Sequence, residues 1–208
     1  MPSNPKSLRQ RLLPTCHRAM LEKFLARHLP ARVRGRVLIV GAGHNPHRHL
    51  LDDSCSVVAL DIEALAGIDV VGDITAMPFE DAAYDAVLCI EVLEHVHDTS
   101  GALAEMRRVL RPGGELLITT PFLFHLHGDP YDFVRLTPSY FRASLAADFE
   151  LDVIPFGNRL HVFLDLVTTA SRGLVPLRVL SHLATPLGWC LRSGSDAPTG
   201  TIVIARKR

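Results

Sequence analysis

Cysteine is scarce in this chain: Cys16, Cys55, Cys89 and Cys190 lie far apart in 208 residues, and no two form a C-x-x-C pair. That spacing reads as neither a disulfide framework nor a thiolate metal site, and a reducing, cytoplasmic setting is expected. Long apolar runs are missing as well. No stretch approaches the ~18 uncharged residues of a membrane span, and the N-terminal residues lack the unbroken apolar core of a signal peptide. Acidic residues are nearly absent from the first 48 positions, where Glu22 alone faces ten lysines and arginines. The balance then reverses, with thirteen acids and no Lys or Arg between Asp52 and Glu105. A solvated helix face accounts for the basic end, and attraction to an anionic surface is the sharper alternative; the acidic middle suits a cationic ligand. With 48% hydrophobic and 21% charged residues the chain has enough apolar material for one core, so residues 1–208 are expected to form one folded unit.

The most informative stretch is Val37-Leu38-Ile39-Val40-Gly41-Ala42-Gly43. Four aliphatic residues in a row read as a strand buried on both faces of a parallel sheet. Gly41 and Gly43 then permit a tight turn and a close backbone approach to a ligand. Ser56 to Asp61 is a second strand ending in an acid 18 positions after Gly43. That is near the ~20 at which a carboxylate in a strand-turn-helix-strand unit accepts hydrogen bonds from ribose hydroxyls. Asp69 to Ile74 reads as a third strand; Asp73 could accept from an adenine amino group while Ile74 covers the ring, or could simply cap a helix. Tyr84 to Ile90 is the fourth strand, with Glu91 at its carboxyl end, and Glu115 to Pro121 the fifth.

Helices are predicted over Cys16 to His28, from Asp98 or Ser100 to Leu110, and from Thr137 as cap with Pro138 as first residue to about Asp148. Arg111-Pro112-Gly113-Gly114 should stop the second of these. Leu151 to Phe156 and Thr201 to Ala205 read as the last strands. Residues 1–34 divide into a leader and a docking helix, for which a lid is the alternative. Residues 158–199 form an apolar insertion that could bury itself on the sheet, pair two subunits as a homodimer, or rest peripherally on a membrane. His44, His47 and His49 sit in a basic run without carboxylates, so a polar loop is favoured over a metal site, and no metal is expected. The alternation of strands and helices predicts an α/β, Rossmann-like doubly wound sheet.

In this order, VLIVGAG, VVALDIE, GDITAMPFEDAAYDAVLCIEVLEHV and LRPGGELLITTP resemble a class I S-adenosylmethionine-dependent methyltransferase of the type 11 group, over about residues 36 to 121. The fragment PYDFVRLTPSYF is similar to a stretch in methyltransferases of bacterial glycan and secondary-metabolite gene neighbourhoods. The resemblance implies a mostly parallel sheet with an antiparallel last strand, and S-adenosyl-L-methionine as cofactor. It implies that Gly41, Ala42 and Gly43 admit the methionine part, that Asp61 takes the ribose, and that Ile62 belongs to the cofactor site. Asp73 and Ile74 would take the adenine, and Ile90 and Glu91 would border the transferred methyl. Two positions depart from the family pattern: Ile39 stands where members carry an acid, and Asn45 where they carry a third glycine.

Methyl transfer needs an in-line nucleophile more than covalent help from the protein. For a hydroxyl acceptor a base is required, and His125 and His127, in the polar and aromatic loop after the fifth strand, are the candidates. Tyr131, Asp132 and Arg135 would orient the acceptor, a small molecule or glycan-type compound methylated at oxygen or nitrogen; nucleic acid is not expected. Two rivals stand beside this reading. A nicotinamide-dependent oxidoreductase would need a third glycine at Pro46 and a Tyr/Lys pair, neither of which is evident. A methyltransferase fold that only binds is favoured by Ile39 and the insertion.

Overall fold

Side chains alternate across the first strand, and that alternation builds a layer on each face of the sheet. In the computed structural model, which describes residues 14–44, 47–127, 131–170, 174–190 and 196–208, β1 (Arg36–Val40) sends Leu38 and Val40 to one face and Val37 and Ile39 to the other. It lies between β2 (Ser56–Asp61) and β4 (Tyr84–Ile90), both parallel to it. β3 (Val70–Val71) extends the sheet beyond β2, and β5 (Leu110–Pro121) runs parallel to β4. β6 (Phe149–Phe156) and β7 (Gly200–Lys207) complete a seven-stranded sheet of order β3-β2-β1-β4-β5-β7-β6, with β7 antiparallel to both neighbours. The mostly parallel sheet with an antiparallel last strand is therefore present.

One face carries α2 (Thr99–Val109) and α3 (Pro138–Leu145), whose Met106, Val109, Phe141 and Leu145 join Leu38, Val40, Val87 and Cys89 in the larger core. Asp98 caps α2 by accepting the Gly101 N–H, and Thr137 caps α3 by accepting that of Tyr140. The other face is covered by α1 (Cys16–Arg32), with Leu21, Leu25 and Leu29 fully buried at helical spacing against Val37, Ile39 and Leu88. Ile39 is thereby explained, since an acid there would face these leucines in the apolar layer.

Several boundaries differ from expectation. α1 continues to Arg32 rather than ending near His28, because Pro30 falls in the last turn, where it removes one hydrogen bond without interrupting the body of the helix. β3 is only two residues long. Arg111-Pro112-Gly113-Gly114 does not separate helix from strand: these residues belong to β5, in an irregularity between the pairs Tyr84↔Leu110 and Ala86↔Glu115, where Arg111 pairs with Asp85. α3 ends at Leu145.

The insertion is α4 (Arg159–Ala170) and α5 (Val175–Cys190), packed on each other and on α1. Its attachment is polar: the His17 N–H reaches the Asp165 carboxylate, Cys16 Sγ lies 2.9 Å from Thr185 Oγ1, and Asn158 donates to the Gly188 carbonyl. Phe163, Leu166, Leu180, Leu183 and Leu187 point outward. No helix among the described residues is long and apolar enough to cross a membrane. Residues 1–13 of the expected leader, Asn45 and Pro46 after the glycine turn, and Gly128, Asp129 and Pro130 of the acceptor loop lie outside the described residues.

Leu25→Ala should destabilise the protein by about 2–5 kcal/mol, the cost of a cavity beneath the sheet. Thermal or denaturant unfolding would measure it.

Candidate active site

Parallel register places the strand tips that matter side by side. Val40 pairs with Leu60 on one side and with Cys89 on the other, so Gly41, Asp61 and Ile90 emerge on one rim. Asp61 in turn pairs with Val71, which brings the segment ending in Asp73 and Ile74 to the same rim. The carboxyl edge of an open α/β sheet is where such folds bind ligands.

Gly41 adopts φ +60°, and a Cβ on it would come within 2.5 Å of a Val92 methyl, so only glycine fits there. Gly43 also has positive φ, +53°, and a Cβ on it would meet nothing within 4 Å: the turn opens onto free space. Its N–H donates to Asp61 Oδ2 at 2.8 Å, while the Glu63 N–H donates to Oδ1 at 3.0 Å. Each oxygen keeps a lone pair for further donors. Ile62 beside it is 71% exposed, an apolar side chain presented to solvent at the rim. Asp73 is exposed and accepts from both the N–H and hydroxyl of Thr75 through Oδ1; this closes a local turn, and no helix follows for it to cap. Ile74 packs mainly into the core near Met77.

Glu91 is the strained point. Its φ of +56° lies in the left-handed region, held because its N–H bonds to the Thr119 carbonyl at 3.0 Å. Thr119 Oγ1 donates to Oε1 at 2.9 Å and His17 Nε2 to Oε2 at 2.8 Å. The His17 ring sits 5.1 Å from Phe124 and 5.0 Å from Phe156. Burial opposes charge on both partners, yet attraction and hydrogen bonding prevail: the imidazole is held above its ordinary value and the Glu91 carboxyl below. Beneath this pair Asp165, pushed up to about 6 by burial, accepts the His17 N–H.

The acceptor loop is tied to the β4 end by the Phe133 N–H, which donates to the Glu94 carbonyl at 2.7 Å. Asp132 and Arg135 form a bidentate pair; the arginine hydrogen bonds hold the Asp132 carboxyl well below the carboxylate range. Asp132 Oδ2 also accepts the His127 N–H at 3.0 Å. These two residues therefore shape the loop itself. Tyr131 is 62% exposed, with its ring beside Phe133. The His125 carbonyl faces His127 Nδ1 at 3.1 Å. Burial keeps the His127 imidazole below its ordinary value, hence neutral near pH 7.

Two residues escaped sequence reasoning. His17 pairs with Glu91 across 74 positions, and nothing in its helical periodicity signals this. Glu94, read only as part of the run after β4, is buried with neither carboxylate oxygen hydrogen-bonded.

The sheet order and the carboxyl-edge site define the class I methyltransferase fold. Residues 38–118 match the family described as "Methyltransferase domain". It is 39% identical over 94 residues to a demethylmenaquinone methyltransferase of Renibacterium salmoninarum, covering 40% of each chain. The chain spans two fifths or less of the length of such curated relatives. Among solved structures it resembles a SAM-dependent methyltransferase from Archaeoglobus fulgidus, with TM-score 0.59, 15% identity and coverage of 95% and 97% of the two chains. It also resembles the cyclase SpnF, with TM-score 0.59, 20% identity and coverage of 90% and 80%.

His17→Gln removes the cation and strands Glu91, a loss of about 3 kcal/mol of stability. The imidazole is raised above 6.5 in the folded protein, so its contribution is complete below that pH and fades as pH rises through the folded value. The carboxyl is lowered below 4.5, so its contribution is complete above 4.5 and fades on acidification. Wild-type stability should decline from pH 6 to 9 more steeply than that of His17→Gln, as followed by denaturant unfolding across pH.

Proposed function

We propose that this protein transfers a methyl group from S-adenosyl-L-methionine to an oxygen or nitrogen of a small-molecule or glycan-type acceptor. The observation that carries the reading is the Gly43 N–H bonded to the Asp61 carboxylate beside open space, with exposed Ile62 and Asp73 on the same rim. Asp61 would receive the ribose hydroxyls and Asp73 the adenine amino group. Ile62 would cover the adenine, and Gly41, Ala42 and Gly43 would let the methionine part lie against the backbone. S-adenosylmethionine supplies a methyl already activated on a sulfonium. The protein's task is to hold the acceptor in line and exclude water, and such positioning can supply ~7–11 kcal/mol.

With Ile39 replacing the family's acid, the methionine end would rest on the backbone at Gly41 and Glu91. The His17 and Thr119 bonds support that Glu91 turn. The acceptor would lie over the loop holding His125 and His127, with Tyr131 at its open margin and the Asp132–Arg135 pair keeping the loop in shape. His127 is the activating residue: its Nδ1 is turned to the His125 carbonyl, which leaves Nε2 as a lone pair. The similarity to demethylmenaquinone methyltransferase supports a small acceptor, and the absence of a Tyr/Lys hydride pair counts against the nicotinamide rival.

Asp61→Ala should weaken S-adenosylmethionine binding roughly 10- to 100-fold, the loss of charge-assisted hydrogen bonds of about 1.5–3 kcal/mol. Titration calorimetry giving equal affinity for the two proteins would reject the assignment. Binding without turnover across hydroxyl and amine acceptors would favour the purely binding role.

A further inference from the structure

Beyond the strained turn at Glu91 the chain makes one turn of 3-10 helix, Leu93–His95, which leaves Glu94 1% exposed. Both of its carboxylate oxygens are buried, and neither has a hydrogen-bond partner. A buried carboxylate in that condition costs several kcal/mol unless something compensates it. Two imidazoles face it. His95 Nε2 lies 3.7 Å and His127 Nε2 3.8 Å from Glu94 Oε1, too far for hydrogen bonds. The three ligand atoms all lie within 4.8 Å of one another.

The far side of each ring explains the arrangement. His95 Nδ1 is 2.5 Å from the Tyr131 carbonyl, and His127 Nδ1 is 3.1 Å from the His125 carbonyl, with Asp132 Oδ2 at 3.4 Å. A carbonyl only accepts, so each Nδ1 carries the proton and each Nε2 presents a lone pair. The two imidazole lone pairs thus converge with the Glu94 carboxyl, whose proton a bound cation would displace. Histidine ligands are commonly set up in this way, the second nitrogen bonded to a carbonyl or carboxylate so that the first meets a metal. Glu91 takes no part, because His17 and Thr119 occupy its oxygens.

We propose that Glu94, His95 and His127 form a binding site for a first-row divalent cation, with open coordination positions facing the acceptor cleft. Two ligand atoms at about 2.1 Å from a common ion in tetrahedral geometry are roughly 3.4 Å apart, so the two imidazole–carboxylate separations of 3.7 and 3.8 Å close by a few tenths of an ångström, and the two imidazole nitrogens, within 4.8 Å of each other, would draw together on the ion. The donor set of two imidazoles and one carboxylate suits Mn²⁺, Co²⁺ or Zn²⁺. Burial and the nearby Glu91 charge drive the Glu94 carboxyl well above its ordinary range in the absence of an ion, and a dication reverses that balance. His127 would then act on an acceptor oxygen through the ion it holds. That last step rests on the methyltransferase reading; cation binding itself does not.

The test is titration of chelator-stripped protein with Co²⁺, read by its visible ligand-field absorption, and with Zn²⁺, read by calorimetry. One equivalent is expected to bind, with affinity falling at least tenfold in Glu94→Gln and in His127→Ala, and unchanged in His182→Ala on α5. Zn²⁺ should raise the Tm of the wild type but not of His127→Ala. A wild type that shows no saturable Co²⁺ or Zn²⁺ binding overturns the proposal without recourse to any variant. So does binding that Glu94→Gln and His127→Ala leave intact, which marks an adventitious surface site. S-adenosylmethionine titration of the same samples separates the two readings: cofactor binding without the cation sinks this site alone, and cation binding without the cofactor sinks the methyltransferase assignment alone.

Discussion

Asp61 Oδ2 accepts the Gly43 N–H at 2.8 Å, and this bond joins the two strand tips on which the site is built. It fixes the glycine turn relative to β2 and orients a carboxylate along the rim. Because β1 is flanked by parallel partners on both sides, the same register carries the ends of β4 and β3 to that rim. An antiparallel neighbour would have sent one of those tips to the opposite edge. The methyltransferase reading is thus a consequence of strand direction as much as of residue type.

The second constraint is the docking of α1. Its leucines cover the β1 face, which makes Ile39 a core residue, and its first turn delivers His17 to Glu91. Glu91 would otherwise be a strained residue with a buried charge. The helix compensates the charge, and through the His17 N–H and Asp165 it also ties the α4–α5 pair to the end of the sheet. Packing and site electrostatics therefore share one helix, and a disturbance of α1 would reach the rim through both Ala42 and Glu91.

Fold alone does not settle chemistry here, since a cyclase and a methyltransferase match this chain about equally well in structure. Discrimination lies in the loop side chains over the rim. Asp132 and Arg135 are committed to each other, whereas Glu94 is buried without a hydrogen-bond partner beside His95 and His127.

The sheet, the glycine turn and the ribose carboxylate were legible from Val37–Gly43 and Ser56–Asp61, because buried parallel strands declare themselves as apolar runs and a positive-φ turn requires glycine. Strand ends were less clear: β3 shrank to two residues, and the glycines after Arg111 joined β5, because tertiary pairing rather than local propensity decides where a ladder stops. His17 with Glu91, and Glu94 with His95 and His127, could not be read from the chain. Neither pairing has a local period or motif; each arises where a helix or loop distant in sequence folds over a strand tip. The sequence by itself determined the sheet and its binding edge through patterns repeated within each element. Only the tertiary structure decided which buried charges meet there, because those contacts depend on long-range docking that no local pattern encodes.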